Sequence, residues 1–259
     1  MKQIKERIRD GEIVHGCWIN LGSLTATEII GYAGFDWVLI DLEHGAGDIG
    51  VLYEQLQVLH STNTAVFVRT DELARNKVQR ILDAGATGIM FPQLKTEQEA
   101  GHAARLMYYP PKGIRGMAKM VRATGFGAHA DDYIAGLEDK LVGVVQIETT
   151  EALENIDAIA AAEGVDVLFV GPNDLSLALD TFGQLQHPKF QQALKAVADA
   201  CRAHGKTAGV LLQDPGEYKM YSDLGYRFLA CGADGTFVYK GAKEMVRSLN
   251  AKRNETVPD

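Results

Sequence analysis

Short apolar runs alternate along the chain with longer stretches whose apolar residues recur every three or four positions. Eight runs read as strands: His15–Leu21, Trp37–Leu42, Ala65–Arg69, Gly88–Pro92, Leu141–Glu148, Val165–Gly171, Thr207–Leu212 and Arg227–Gly232. Their apolar residues are continuous rather than alternating, as parallel strands covered on both faces require. Helical spacing predicts helices over Ala74–Ala84, Thr96–Met107, Glu151–Ala162 and Phe190–His204. Gly85, Gly164, Gly205 and Gly225 each follow a helical stretch and precede a strand, a favoured way to leave a helix. Eight strands with intervening helices predict an α/β fold, a single closed (β/α)₈ TIM barrel. An open doubly wound sheet is the alternative, but no GxGxxG follows the first strand to support a dinucleotide site.

A length of 259 residues with 46% hydrophobic content suits one such barrel. The reading is a barrel domain over residues 1–249, a loop insertion at about 108–140, and a polar C-terminal tail at 250–259 that frays. The insertion carries YYPPKGIRGMA, Gly125 and Gly127; a connection this long is more often a functional loop or lid than filler. A formal net charge of −8 argues against nucleic acid and anionic membranes as partners. No run reaches the ~18 apolar residues of a membrane span. The start, MKQIKERIRD, lacks an apolar signal core. Cys17, Cys201 and Cys231 are odd in number and far apart, with no CxxC pair, so a reducing cytoplasmic setting is expected rather than disulfides or structural zinc. Cys17 and Cys231 lie in strands and read as small core residues. The RIRD and NAKR clusters read as solvated faces, and histidines 15, 60, 102, 129, 187 and 204 as surface residues.

Catalytic groups of such barrels sit where strands end, on the C-terminal face. There the second strand offers Asp41, Glu43 and His44, and the third Arg69. The fourth runs into Gln93, the fifth offers Gln146 and Glu148, and the sixth leads to Asn173 and Asp174. Glu148 and Asp174 form a hard, oxygen-rich pair suited to Mg²⁺ or Mn²⁺. Arg69 can neutralise charge developing on an oxygen, and His44 can shuttle a proton near neutral pH. The residue types thus reach metal-assisted proton or carbon–carbon chemistry beside a carbonyl. Each also has a plainer reading. Glu148 or Asp174 could cap the next helix, Asp41 could be only a buried partner for Arg69, and His44 an ordinary loop histidine. Gly45 and Gly47 behind His44 suggest a close backbone approach, and the four groups together favour a site.

At these residues the sequence resembles the HpcH/HpaI aldolases, the metal-dependent class II pyruvate aldolases of the 2-dehydro-3-deoxyglucarate and 4-hydroxy-2-oxoheptanedioate type. The matching stretches are EIIGYAGFDWVLIDLEHG (28–45), VRT (68–70), LDAGATGIMFPQ (82–93), YYPPKGIRG (108–116), VQIETTEALENIDAI (145–159) and GVDVLFVGPNDLSLALD (164–180). The resemblance implies a (β/α)₈ barrel with Glu148 and Asp174 holding Mg²⁺ or Mn²⁺, or Co²⁺. It implies that Gln146 and the backbone at Asn173 and Asp174 bind substrate, and that Arg69 stabilises the enolate and alkoxide. His44 would be the general base, acting through water, with Asp83 raising its basicity. Asp83 ends a helix, which puts it near the opposite barrel face within one subunit. Its role therefore implies a homo-oligomer, typically a hexamer with exchanged C-terminal helices. The implied reaction is reversible cleavage of a 4-hydroxy-2-oxo acid to pyruvate and an aldehyde. Family members often carry alanine where this chain has Asn173, which puts an amide into the pocket. Leu211 or Leu212 is expected to add apolar contacts there.

Two other readings stand beside this one. An acyl-CoA or citrate-type lyase or synthase on the same barrel would need cations for a pyrophosphate, and Lys112, Arg115, Lys119 and Arg122 could supply them. A binding protein without chemistry is disfavoured by the presence of His44, Arg69, Glu148 and Asp174 together.

Overall fold

The computed structural model describes residues 3–255. Eight parallel strands close on themselves in chain order: β1 (Val14–Ile19), β2 (Trp37–Asp41), β3 (Ala65–Arg69), β4 (Gly88–Phe91), β5 (Val142–Ile147), β6 (Val167–Val170), β7 (Thr207–Leu212) and β8 (Tyr226–Ala233). The helices are α1 (Ile4–Arg9), α2 (Leu24–Tyr32), α3 (Ile49–Val58), α4 (Arg75–Asp83), α5 (Glu97–Met107), α6 (Ala130–Ala135) and α7 (Leu137–Lys140). They continue with α8 (Thr150–Glu154), α9 (Ile156–Ala161), α10 (Pro172–Ala178), α11 (Pro188–Ala203), α12 (Tyr218–Leu224) and α13 (Asp234–Glu255). The single (β/α)₈ TIM barrel expected from the strand pattern is therefore the observed fold.

Alternate residues of each strand face two separate cores. Outward side chains such as Val38, Val68, Ile89 and Val210 pack under the helices. Inward ones fill the barrel with rings: Trp18, Trp37, Phe67, Phe169 and Phe228. Trp37 stacks on Phe228 at 4.0 Å between ring centroids, and Phe67 meets Phe228 edge-on at 5.1 Å. The interior is thus packed rather than hollow.

α1 closes the bottom of this core with Ile4 and Ile8. Lys5 in the same helix is buried, donating to Leu141 O at 2.6 Å and to Asp166 at 3.0 Å. Burial lowers the pKa of its ammonium, against the pull of Asp166. Arg7 pairs with Glu12 and Asp36.

The insertion runs from the end of α5 to the start of β5 and carries α6 and α7. A helix-to-strand connection lies on the N-terminal face of a barrel, so in this chain it cannot cover the strands' C-terminal ends. That corrects the expectation of a lid. The predicted tail also differs, since α13 continues through Glu255; the rest of it, 256–259, lies outside the described residues.

Candidate active site

Strand register brings the first polar residues together. Ile19 lies opposite Ile40 and Asp41 opposite Arg69, so Asn20, Asp41 and Arg69 form one row across the ends of β1, β2 and β3. Arg69 clamps Asp41 with two prongs, Nε at 2.9 Å and Nη2 at 2.6 Å. Asn20 Nδ2 donates to the same carboxylate at 2.9 Å, and the backbone N–H groups of Glu43 and His44 at 3.1 and 3.2 Å. Burial alone would push the Asp41 carboxyl up, but Arg69 and the His44 and Glu43 N–H groups hold it below the usual carboxylate range. Asp41 is thus the buried partner of Arg69, and it also shapes the loop that carries His44. Gly45 is needed in that loop because a Cβ there would collide with Asp41 O. The remaining Arg69 prong, Nη1, meets Glu43 at 3.0 Å.

Glu148 follows β5 and is 3% exposed. Burial pushes its carboxyl up to about 7, helped by the nearby charges of Asp174 and Glu43 and opposed by the Gln93 N–H and by Arg69. Gln93 donates that N–H to Oε1 at 2.8 Å. Thr149, not Glu148, caps α8, so the capping reading of Glu148 fails. Gln146, two residues earlier, is buried with its side-chain oxygen unpartnered. Gly171 lets β6 approach both: a Cβ there would stand 2.9 Å from Glu148 Oε2 and 3.1 Å from Gln146 Nε2.

Asn173 and Asp174 lie exposed in the first turn of α10. His44 is 72% exposed in its side chain, with Nε2 4.0 Å from Glu43. Asp83 is not part of this assembly. It ends α4 on the opposite face, where Arg115 binds it at 2.6 Å and Tyr133 in turn holds Arg115 at 3.1 Å. Leu211 packs against the barrel interior, whereas Leu212 belongs to the outer core, so Leu211 is the one positioned to face a ligand. Two further residues, Asn20 and Asp234, join the site without having been marked by the sequence. Asp234 is 2% exposed and accepts the N–H groups of Asn20 at 2.9 Å and Leu21 at 3.2 Å.

Two observations test whether these groups suit a cation. Around the buried Glu148 carboxyl, two further carboxylates outnumber the single guanidinium of Arg69, and a buried oxygen of Gln146 is unpartnered. Among the described residues no group of three or more His, Cys, Asp or Glu is placed to hold a metal ion. The crowded Glu148 carboxyl suits a hard cation, which would then be held by Glu148 and Asp174 with the other positions left to water and substrate. A cavity of about 780 Å³ on the N-terminal face, lined by Arg7, Asp36, Thr64 and Tyr133 among others, contains none of the predicted site residues.

Residues 15–240 match the family described as HpcH/HpaI aldolase/citrate lyase. The chain belongs to that family. It is 38% identical over 232 residues to the 5-keto-4-deoxy-D-glucarate aldolase of Shigella boydii, covering 90% of each chain. It is 35% identical over 254 residues to the hydroxypyruvate/pyruvate aldolase of Paraburkholderia phytofirmans, covering 96% of this chain and 97% of the relative. The crystal structure of an HpcH/HpaI family protein from Burkholderia cenocepacia superposes with a TM-score of 0.90 at 34% identity, covering 95% of this chain and 98% of that one. This HpcH/HpaI family member is a carbon–carbon lyase. No described helix is long and apolar enough to cross a membrane.

Proposed function

We propose that the protein is a divalent-metal-dependent aldolase that reversibly cleaves a 4-hydroxy-2-oxo acid to pyruvate and an aldehyde. The observation that carries this reading is the buried Glu148 carboxyl beside Gln146, whose side-chain oxygen is unpartnered, separated by one strand from the Arg69–Asp41 pair on the same strand-end face. Glu148 and Asp174 hold the metal, Mg²⁺ or Mn²⁺, or Co²⁺. When bound, the cation supplies Lewis acidity to the 2-keto oxygen of the substrate. Gln146 and the backbone at Asn173 and Asp174 hold the keto-acid half. His44 takes the proton of the 4-hydroxyl, the C3–C4 bond breaks, and its electron pair enters the keto-acid half as an enolate. Arg69 faces the charge that develops first on the 4-oxygen and then on the enolate oxygen. Protonation at C3 yields pyruvate, and reversal gives aldol addition. The name of the Shigella boydii relative favours a 2-dehydro-3-deoxy sugar acid as substrate, that of the Paraburkholderia phytofirmans relative fits pyruvate or hydroxypyruvate as the keto-acid half, and a 4-hydroxy-2-oxo diacid of the heptanedioate type is the comparison.

We also infer a cytoplasmic homo-oligomer, a hexamer, in which Asp83 serves the partner subunit's His44. Support comes from the C-terminal helix, whose Val238, Tyr239, Met245, Val246 and Leu249 are each more than half exposed, as are Ile29 and Tyr32 of α2. Three free thiols suit a reducing compartment. A monomer in sedimentation would overturn the oligomer.

The acyl-CoA or citrate-type reading loses three of the four cations it would need. Arg115 is buried against Asp83, Arg122 donates to Ala84 O and Leu56 O, and Lys112 pairs with Glu138 and Glu163. Pyruvate release from 4-hydroxy-2-oxo acids, coupled to lactate dehydrogenase, tests the aldolase. Release that stops with EDTA and returns with Mg²⁺ or Mn²⁺ is expected. Silence from folded protein with every metal, alongside turnover of an acyl-CoA, would reject it.

A further inference from the structure

We propose that Asn20 is a positioning residue: through Asp41 it fixes the plane of the Arg69 guanidinium, and Asp234 fixes Asn20. This deepens the aldolase reading and rests on the role given to Arg69 there.

Asn20 is held by its backbone on both sides. Its N–H donates to Asp234 Oδ1 at 2.9 Å, and its carbonyl accepts from Ala46 N at 2.8 Å, in the loop that carries His44. Asp234 also accepts from its C-terminal neighbour, Gly235 N, at 2.8 Å, so β1 is tied to the start of α13. The backbone is thus pinned from both sides, and the side-chain amide donates to Asp41 Oδ2, 2.9 Å away.

The two oxygens of Asp41 are supported differently. Oδ1 is fixed by the N–H groups of Glu43 and His44 as well as by Arg69 Nε. Oδ2 takes Arg69 Nη2 and, among the described residues, has Asn20 as its other donor. A two-pronged clamp keeps its plane only while both oxygens stay in place. Without the Asn20 amide the carboxylate can turn about its Cβ–Cγ bond. Arg69, already 3.0 Å from Glu43 through Nη1, then swings toward that second carboxylate. The guanidinium would leave the position from which it faces the reacting oxygens, while the metal ligands stay where they are.

A purely structural role, sealing the seam between β1 and β2, predicts something different, and a double-mutant cycle separates the two. Asn20→Ala is expected to lower kcat about tenfold, the scale of one lost hydrogen bond to a charged group. KM and metal affinity should stay within about twofold of the parent values. In an Arg69→Lys background, where the two-pronged clamp is already gone, Asn20→Ala should change kcat by less than about twofold. Asn20→Asp keeps the size but sets a carboxylate against Asp41, and should be worse than Asn20→Ala. Equal losses from Asn20→Ala in both backgrounds, or an Asn20→Asp variant no worse than Asn20→Ala, would overturn the proposal. If Asn20→Ala does not fold, Asn20→Ser takes its place in the cycle. If the parent enzyme releases no pyruvate with any metal, the aldolase reading has failed and crystallography decides this one. A guanidinium displaced from the Asp41 plane in the Asn20→Ala crystal structure upholds it, and one superposing on the parent overturns it.

Discussion

Gln93 reaches Glu148 with its backbone N–H, at 2.8 Å, from a left-handed conformation with φ of 58°. That conformation costs a residue with a Cβ roughly 1–2 kcal/mol, a strain spent on aiming one donor at a buried carboxyl. Gln93→Gly keeps the donor and removes the Cβ. It is expected to raise the free energy of unfolding by about 1 kcal/mol and leave metal affinity unchanged. Urea denaturation with a parallel metal titration checks both; a less stable variant would contradict the strain.

Glu148 sets the pH response of the metal-free protein. Folding moves its pKa up from 4.5 to about 7. The native state therefore binds this proton more tightly than the unfolded chain does. The group is harmless below its unfolded pKa and increasingly destabilising as pH rises toward 7, with a full penalty on the order of 3 kcal/mol above it. Melting temperatures of EDTA-treated protein should fall over that window, and saturating Mg²⁺ should abolish the fall. Glu148→Gln should flatten the profile and bind metal far more weakly; a normal metal content in that variant would remove Glu148 as a ligand.

Arg69→Ala combines two losses. Asp41, 1% exposed, is left without its counter-charge, which costs about 3–5 kcal/mol of stability when a buried pair is broken. Turnover should fall by about 10²–10³-fold, as when an oxyanion donor is removed. Adding Asp41→Asn is expected to restore part of the melting temperature and none of the turnover. Recovery of turnover in the double variant would mean that Arg69 acts only as a structural partner.

His44 stands at the opposite extreme, largely in solvent. His44→Ala should shift stability by less than about 0.5 kcal/mol and reduce kcat by about 10²–10⁴-fold. Metal content should be unchanged. Full turnover in this variant would assign the proton transfer elsewhere.

The eight strands could be read from the sequence because each is covered on both faces and so stays apolar throughout. Errors at their ends hid part of the site. Carrying the first strand on to Leu21 placed Asn20 inside it, and stopping the eighth at Gly232 left out Asp234, although the strand-end rule applied to both would have found them. α2 and α3 went unnoticed because their periodicity is weak; in α2, Ile29 is exposed and the adjacent Ile30 buried. The helix predicted over Glu151–Ala162 is two, broken at Asn155, whose amide donates to Lys95 O at 2.9 Å. Arg69, Gln146 and Glu148 were visible as polar groups ending apolar runs. The pairing of Asp83 with Arg115 joins residues 32 positions apart and needed the folded chain.

The rings stacked inside the barrel, with α1 beneath them, leave reactants a single doorway. Both products must leave by the mouth through which the substrate came. Gln146, assigned to the keto-acid half, and Glu148, assigned to the metal, are each 3% exposed, whereas His44, beside the aldehyde half, is open to solvent. The aldehyde is therefore expected to depart first and pyruvate last. Product inhibition should record that order: pyruvate competing directly with the 4-hydroxy-2-oxo acid, the aldehyde inhibiting noncompetitively.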